Sequence, residues 1–227
     1  MPGGGVGEPF SVCHKDYGFV GDYYKGNYSK VNSCYWDSEI SGTNDWEDSG
    51  LNDYLIWPIL ASFSEKWADM ISNYDWQIGG NIQEHIRYSN AQIAFNHEIG
   101  EVGFNQIYNG KMGLIYVSDY YYAANPIFWS YPGFTNFAHP DLNGNYGSEY
   151  DYRAAVNDNW IYMGLYEFTM TRLSEDNVSI YVIYDSGSMH TTLSYGTYDA
   201  FRPVFYLNSN VTYVSGTGTQ SDPFRIK

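Results

Sequence analysis

The groups able to do chemistry are few and dispersed. Five histidines, His14, His85, His97, His139 and His190, are scattered along 227 residues, and no two are spaced as a metal-ligand pair. No HExxH, no GxSxG and no glycine-rich phosphate loop occurs, so the sequence offers no assembled nucleophile, base or metal, and no enzyme is expected. Most carboxylates lie among Ser, Asn and Gly, where solvation accounts for them. Glu167 differs. Embedded in Met163-Gly-Leu-Tyr-Glu-Phe-Thr-Met170, it reads as a buried, hydrogen-bonded structural carboxylate.

Asp141-Leu-Asn143-Gly-Asn145, followed by Glu149 and Asp151, sets oxygen ligands at alternating positions, as a hard cation requires. The match to an EF-hand loop is poor: Gly144 stands at the fourth position where the loop wants Gly at the sixth, and Tyr152 replaces the bidentate Glu. The cofactor expectation is therefore none, with Asp141, Asn143 and Asn145 as the calcium candidates. Cys13 and Cys34, the only cysteines, read as one disulfide pinning the N-terminal region of an exported protein, the alternative being two buried thiols.

Composition narrows the partners. A formal net charge of −15 with 11 thinly spread basic residues argues against nucleic acid and against anionic membrane surfaces. No apolar run is long enough to span a membrane. Met1–Gly7 lacks the basic and apolar regions of a signal peptide and reads as a processed or artificial start, with a signal or anchor removed. Tyr is the commonest aromatic, with 25 copies against 12 Phe and 7 Trp, a bias that suits binding surfaces as well as half-exposed strands. Acidity, tyrosine richness and the cysteine pair favour an extracellular setting at a cell surface, pilus or phage particle.

The elements that must position these residues follow from periodicity. Asp45–Ser49 supplies cap-type residues before a short helix over Leu51–Ile56 that stops near Pro58. A second helix is predicted over Ile59–Ser72, with Leu60, Phe63, Trp67, Met70 and Ile71 on one face. Trp76–Gly80 reads as a strand ending in a turn, Ile82–Ile99 fits strand or helix, and Lys111–Val117 reads as a buried strand followed by a helical turn. Residues 126–150 form a long loop. Strands are predicted over Ile161–Thr171, Ser179–Tyr184 and Phe201–Leu207, with Ser188–Leu193 a further candidate and Val211–Ile226 a closing hairpin.

Several segments together resemble a known family. Trp160-Ile-Tyr-Met-Gly-Leu-Tyr-Glu-Phe-Thr169 is similar to the core strand of C-type-lectin-like domains of the formylglycine-generating-enzyme subclass, with Tyr166 and Phe168 where Trp is usual. Phe201-Arg-Pro-Val204 and Gly216–Phe224 resemble the C-terminal signature of surface and pilin-like proteins of gut Firmicutes; Ser49–Leu55, Trp76–Gly80 and Lys111–Asp119 resemble other segments of that group. The resemblance implies an α+β, C-type-lectin-like fold with a twisted antiparallel sheet, two helices in the N-terminal half and long loops. It places the domain over 35–227, with 1–34 as an N-terminal extension. It implies no catalysis, because the oxidising members use a C-terminal cysteine pair or a His-rich metal site, and no cysteine here follows Cys34.

In proteins of this kind the fold is the variable target of diversity-generating retroelements, in which adenine-directed change yields Asn, Tyr, Ser, Asp, His, Ile, Thr and Phe but not Lys, Gln or Trp. Residues 173–201 contain no Lys, Gln or Trp, and Glu175 and Met189 must then be fixed scaffold. Strand alternation points Ile180 and Val182 to the core and Ser179, Tyr181 and Ile183 outward. The expected ligand-binding set is Ser174, Asp176, Asn177, Ser179, Tyr181, Ile183, Tyr184, Ser186, Ser188, His190, Thr192, Ser194, Tyr195, Tyr198 and Asp199. The expected partner is a protein or glycan on another cell. A structural coat or pilin-type subunit and a calcium-dependent sugar-binding lectin are the alternatives.

Overall fold

A computed structural model of the chain describes residues 13–14, 19–22, 27–30, 46, 49, 51–52, 56–81, 89–100, 106–131, 152–173, 179–193 and 200–227. Cys13–His14 (β1), Phe19–Asp22 (β2) and Asn27–Lys30 (β3) pair as an antiparallel sheet. Two short helices follow, Trp57–Ser62 (α1) and Glu65–Met70 (α2). Tyr74–Gln77 (β4), Gly80–Asn81 (β5) and Ala91–Glu98 (α3) lead to Ile107–Gly110 (β6), Gly113–Leu114 (β7), Val117–Tyr122 (α4) and Tyr152–Asn157 (α5). The C-terminal part is built of Glu167–Leu173 (β8), Ser179–Ile183 (β9), Met189–Leu193 (β10), Ala200–Phe201 (β11), Pro203–Val204 (β12), Tyr213–Ser215 (β13) and Arg225–Ile226 (β14). Helices with mostly antiparallel pairings make an α+β arrangement.

The central sheet runs β10-β9-β8-β11, with β5 on the same edge of β8 as β11. The expected antiparallel pairing holds along β8-β9-β10, and two short parallel pairings are added at the edge: β11 pairs with the start of β8 and β5 with its end, and Met170 donates its N–H to the Ile115 carbonyl between them at 2.7 Å. The β8–β9 register slips between Phe168↔Val182 and Arg172↔Ile180, which leaves a bulge on β8. Thr169 fills the gap, its hydroxyl donating to the Tyr181 carbonyl at 2.8 Å and accepting the Thr171 N–H at 3.2 Å. Backbone groups that the ladder drops are thus satisfied in the interior.

Both faces of this sheet are covered. Phe168, Met170, Ile180 and Val182 pack with Trp46, Leu51, Ile71, Trp76 and Leu114. Leu173, Tyr181, Ile183 and Met189 pack with Ala91 and Ala94 of α3, Val117, Tyr120 and Tyr121 of α4, and Ala155 and Val156 of α5. Alternation along β9 therefore separates two cores and not core from solvent, as in strands buried on both sides.

Local differences from the expected elements have local causes. Pro58 does not stop a helix but sits in the first turn of α1, where its missing N–H costs no hydrogen bond. The helix predicted over Ile59–Ser72 breaks at Phe63 and Ser64, both extended, so Trp67 leaves the apolar stripe and is exposed. The strand predicted over Lys111–Val117 shrinks to β7 because the Asp119 carboxylate, at the third helical position, accepts the Tyr116 N–H at 2.9 Å and starts α4 early. The ambiguous 82–99 segment yields α3, capped by the Asn90 side-chain oxygen Oδ1, which accepts the Ile93 N–H at 3.0 Å. The strand predicted over Ile161–Thr171 begins only at Glu167. The closing hairpin pairs as predicted, β13 with β14. Among the described residues no helix is long and apolar enough to cross a membrane.

Candidate functional site

The β9–β10 hairpin closes through Tyr184–Ser188, with Gly187 N–H to the Tyr184 carbonyl at 2.8 Å and Tyr184 N–H to the Ser188 carbonyl at 2.9 Å. Gly187 has φ +82°, and a Cβ there would come within 2.6 Å of the Val156 side chain and 3.0 Å of the Tyr120 hydroxyl. The turn is thereby pressed onto α4 and α5, and the Tyr120 hydroxyl donates to the Gly187 carbonyl at 2.8 Å. On the other side the Tyr184 and His190 rings stack at 3.9 Å with 15° between planes, and Tyr166 leans on Tyr184 at 4.8 Å. The Ser186 and Ser188 hydroxyls lie 2.8 Å apart, and the Tyr162 hydroxyl donates to the Asp185 carbonyl. Burial lowers the His190 pKa below the usual imidazole range, which favours the uncharged ring near neutral pH.

The segment before β8 completes this face. Asn159 organises it: its side chain donates to the Tyr120 carbonyl at 2.7 Å and accepts the Ile161 N–H at 3.1 Å, while its carbonyl accepts the Tyr162 N–H at 3.3 Å. Gly164, at φ +70°, bends the chain so that Trp160 is 82% exposed and Met163 54%. Arg202 ties the loop to the sheet, donating to the Ile161 carbonyl at 2.8 Å and to the Glu167 carboxylate at 2.7 Å. Glu167 is 2% exposed; burial raises its pKa, and the Arg202 charge and hydrogen bond oppose that rise.

The expected burial and hydrogen bonding of Glu167 are therefore observed, and its partner is Arg202. Arg202→Met would strand that carboxylate and is expected to cost about 3 kcal/mol in urea denaturation, with Glu167→Gln/Arg202→Met costing much less. Equal losses in the two variants would show that the pair does not hold the loop.

A second buried carboxylate, Glu98 at the end of α3, is 2% exposed. Its Oε1 accepts the Thr171 hydroxyl at 2.5 Å and the Ser118 N–H at 3.2 Å, and its Oε2 has no hydrogen-bond partner among the described residues. It joins α3, α4 and β8 in the interior.

The structure brings together Tyr184, Ser186 and His190 of the expected set. It corrects the rest of β9: Ser179, Tyr181 and Ile183, expected outward, are buried, because α3, α4 and α5 cover the face that alternation had assigned to solvent. Ser188 is buried beside Ser186. Thr192 lies in β10 opposite Ile180. Ser174, Asp176, Asn177, Ser194, Tyr195, Tyr198 and Asp199 lie outside the described residues, as do Cys34 and the calcium candidates Asp141, Asn143 and Asn145. Among the described residues no group of three or more His, Cys, Asp or Glu is placed to hold a metal. The sequence reading missed Trp160, Met163, Tyr166 and Asp185. The glycine at 164 and the Asn157-Asp-Asn159 run before Trp160 are the signals that argue for a loop there. No family model, curated protein or solved structure matches the chain.

Proposed function

We propose that this protein is a non-enzymatic ligand-binding module of C-type-lectin-like architecture that displays a diversifiable surface at its central hairpin, on the outside of a bacterial cell, pilus or phage particle. The observation that carries the reading is the Tyr166–Tyr184–His190 stack, half-buried to exposed, standing on a sheet packed on both faces. Aromatic rings fixed in this way give contact area at small entropic cost, and the neighbouring Ser186 hydroxyl adds adaptable hydrogen bonding. The strands under the stack run directly into residues 174–178 and 194–199, whose Ser, Asp, Asn and Tyr belong to the diversification alphabet. Met189, which that alphabet requires to be fixed, is fully buried in the core.

A glycan array and a surface-display screen of extracellular protein domains, each probed with wild type and with Tyr166→Ala/Tyr184→Ala, test this. Ligands retained by wild type should weaken at least about tenfold in the variant, a loss of about 1.4 kcal/mol, with an unchanged melting temperature. Identical binding by both proteins would remove the stack from the site. A nearby reverse-transcriptase gene with a template copy of codons 170–205 differing at adenines would establish diversification.

One observation favours a second reading, a subunit that packs against copies of itself. The β13–β14 hairpin exposes Tyr213, Val214 and Phe224, with the Tyr213 and Phe224 rings meeting edge to face at 6.1 Å. That reading requires concentration-dependent assembly in sedimentation, lost in Tyr213→Ser/Phe224→Ser.

A further inference from the structure

We propose that Tyr74 and Tyr206 form a modification site, at which one-electron oxidation by hydrogen peroxide and a haem peroxidase joins the two rings as an intramolecular dityrosine. The proposal is independent of the ligand-binding reading above. The ring centroids are 4.2 Å apart with 33° between planes, and both residues are open to solvent, Tyr74 by 41% and Tyr206 by 45%. Both contact one buried indole. Trp76, held by its N–H on the Gly110 carbonyl at 2.9 Å, meets the Tyr74 ring edge to face at 5.2 Å and the Tyr206 ring at 5.6 Å.

The backbone places the same pair a second time. Ile71 bridges Leu207 in antiparallel fashion, the Ser72 N–H donates to the Tyr206 carbonyl at 2.9 Å, and the Asn208 N–H donates to the Met70 carbonyl at 2.8 Å. Residues 206–208 therefore run beside 70–72, which brings Tyr206 next to the start of β4 although the two tyrosines lie far apart in sequence.

A tyrosine phenol is protonated at neutral pH, and burial, followed by the nearby Tyr74 and Asp119, raises the Tyr206 phenol further. Oxidation thus removes one electron and one proton from each ring, and the exposure of both admits the oxidant and the water that takes the proton. The two phenoxyl radicals pair through one new bond between their Cε carbons, and the hydrogen on each bonded carbon moves to the adjacent oxygen as the rings become aromatic again. The two electrons and two protons reduce hydrogen peroxide to two waters, which closes the balance. Rings already in contact make the coupling an intramolecular step, faster than any encounter between dilute molecules. Tyr166 and Tyr184 are the competing pair, but they stand 4.8 Å apart at 54°, and the Tyr184 ring is partly buried and stacked on His190.

The test treats the dilute full chain with a haem peroxidase and limiting hydrogen peroxide, with free tyrosine oxidised in parallel to verify the reagents. Expected are dityrosine fluorescence, a monomer whose intact mass has fallen by two hydrogens, and one cross-linked peptide pair containing residues 74 and 206. The bridge closes a long loop, so the oxidised protein should melt at least about 5 °C higher. Tyr74→Phe and Tyr206→Phe keep the rings but cannot form a phenoxyl, and each should abolish the fluorescence and the mass change while melting close to untreated wild type. Tyr166→Phe should alter neither signal. Dityrosine that persists in Tyr74→Phe or Tyr206→Phe, or that disappears in Tyr166→Phe, would overturn the proposal. So would covalent dimers in place of the monomer, or no dityrosine under conditions that couple free tyrosine.

Discussion

Folding stability should fall as pH rises from about 5 to about 8, and Glu98→Gln should remove most of that fall. Glu98 is 2% exposed, and burial, the largest influence, pushes its carboxyl from the ordinary 4.5 up to about 7 against the hydrogen bonds of Ser118 and Thr171 that favour the charged form; Asp119 pushes the same way. A folded-state value above the unfolded one means that the native protein keeps a proton that the unfolded chain releases. The resulting stabilisation is complete below 4.5 and is lost as pH rises through about 7. A gap of that size corresponds to about 3 kcal/mol.

Burial shifts Glu167 and Asp119 upward as well, so their contributions have the same sign. Gln at 98 keeps an acceptor for the Ser118 N–H and the Thr171 hydroxyl while removing the charge. Urea midpoints for Glu98→Gln should then exceed wild type at pH 8 and match it near pH 5. Glu98→Leu leaves both donors unpaired and should lose about 2 kcal/mol or more at every pH. A wild-type slope that survives unchanged in Glu98→Gln would show that Glu98 is not the group that titrates.

What could be read from the sequence was what neighbouring residues decide. The β9 and β10 strands and the β13–β14 hairpin follow from two-residue alternation bounded by Gly, Ser and Asp, and the burial of Glu167 follows from its apolar neighbours. Features set by distant residues were not legible. Whether Tyr181 meets solvent depends on α3, α4 and α5 lying over β9, which no local pattern reports. Glu98 finds its partners 20 and 73 positions further along the chain, so nothing near it marks it as the most shifted carboxyl among the described residues. Trp160–Tyr166 has strand-forming composition, yet Asn159 captures its backbone and Gly164 bends it, and the large side chains meant for a core become the surface. The same displacement turned a candidate core strand into the principal part of the candidate site.

Gly79→Ala should be among the most damaging single-methyl changes the fold can receive. Trp76-Gln-Ile-Gly-Gly80 anchors at Trp76, whose indole N–H donates to the Gly110 carbonyl at 2.9 Å and whose ring lies under Gly113, where a Cβ would come within 2.9 Å. Three residues on, the backbone meets the end of α3, and the Gly79 N–H donates to the Glu98 carbonyl at 2.9 Å. A Cβ on Gly79 would stand 2.7 Å from the Glu98 carbonyl carbon and closer still to the carbonyl oxygens of His97 and Glu98. These are backbone atoms at a helix end and cannot swing aside as a side chain can. Either α3 or the β4–β5 connection must move, and a shift of α3 also displaces the Glu98 carboxylate from Ser118 and Thr171.

The expected loss is about 3 kcal/mol or more in urea denaturation, with a reduced pH slope as Glu98 gains access to water. Gly164→Ala is the fitting control. That position has φ +70° but open space, its nearest contact being the Tyr162 hydroxyl at 3.9 Å, so only the backbone strain of about 1 kcal/mol applies. If Gly79→Ala cost no more than Gly164→Ala, the close passage of residues 78–80 across the end of α3 would be wrong, and with it the positioning of Glu98.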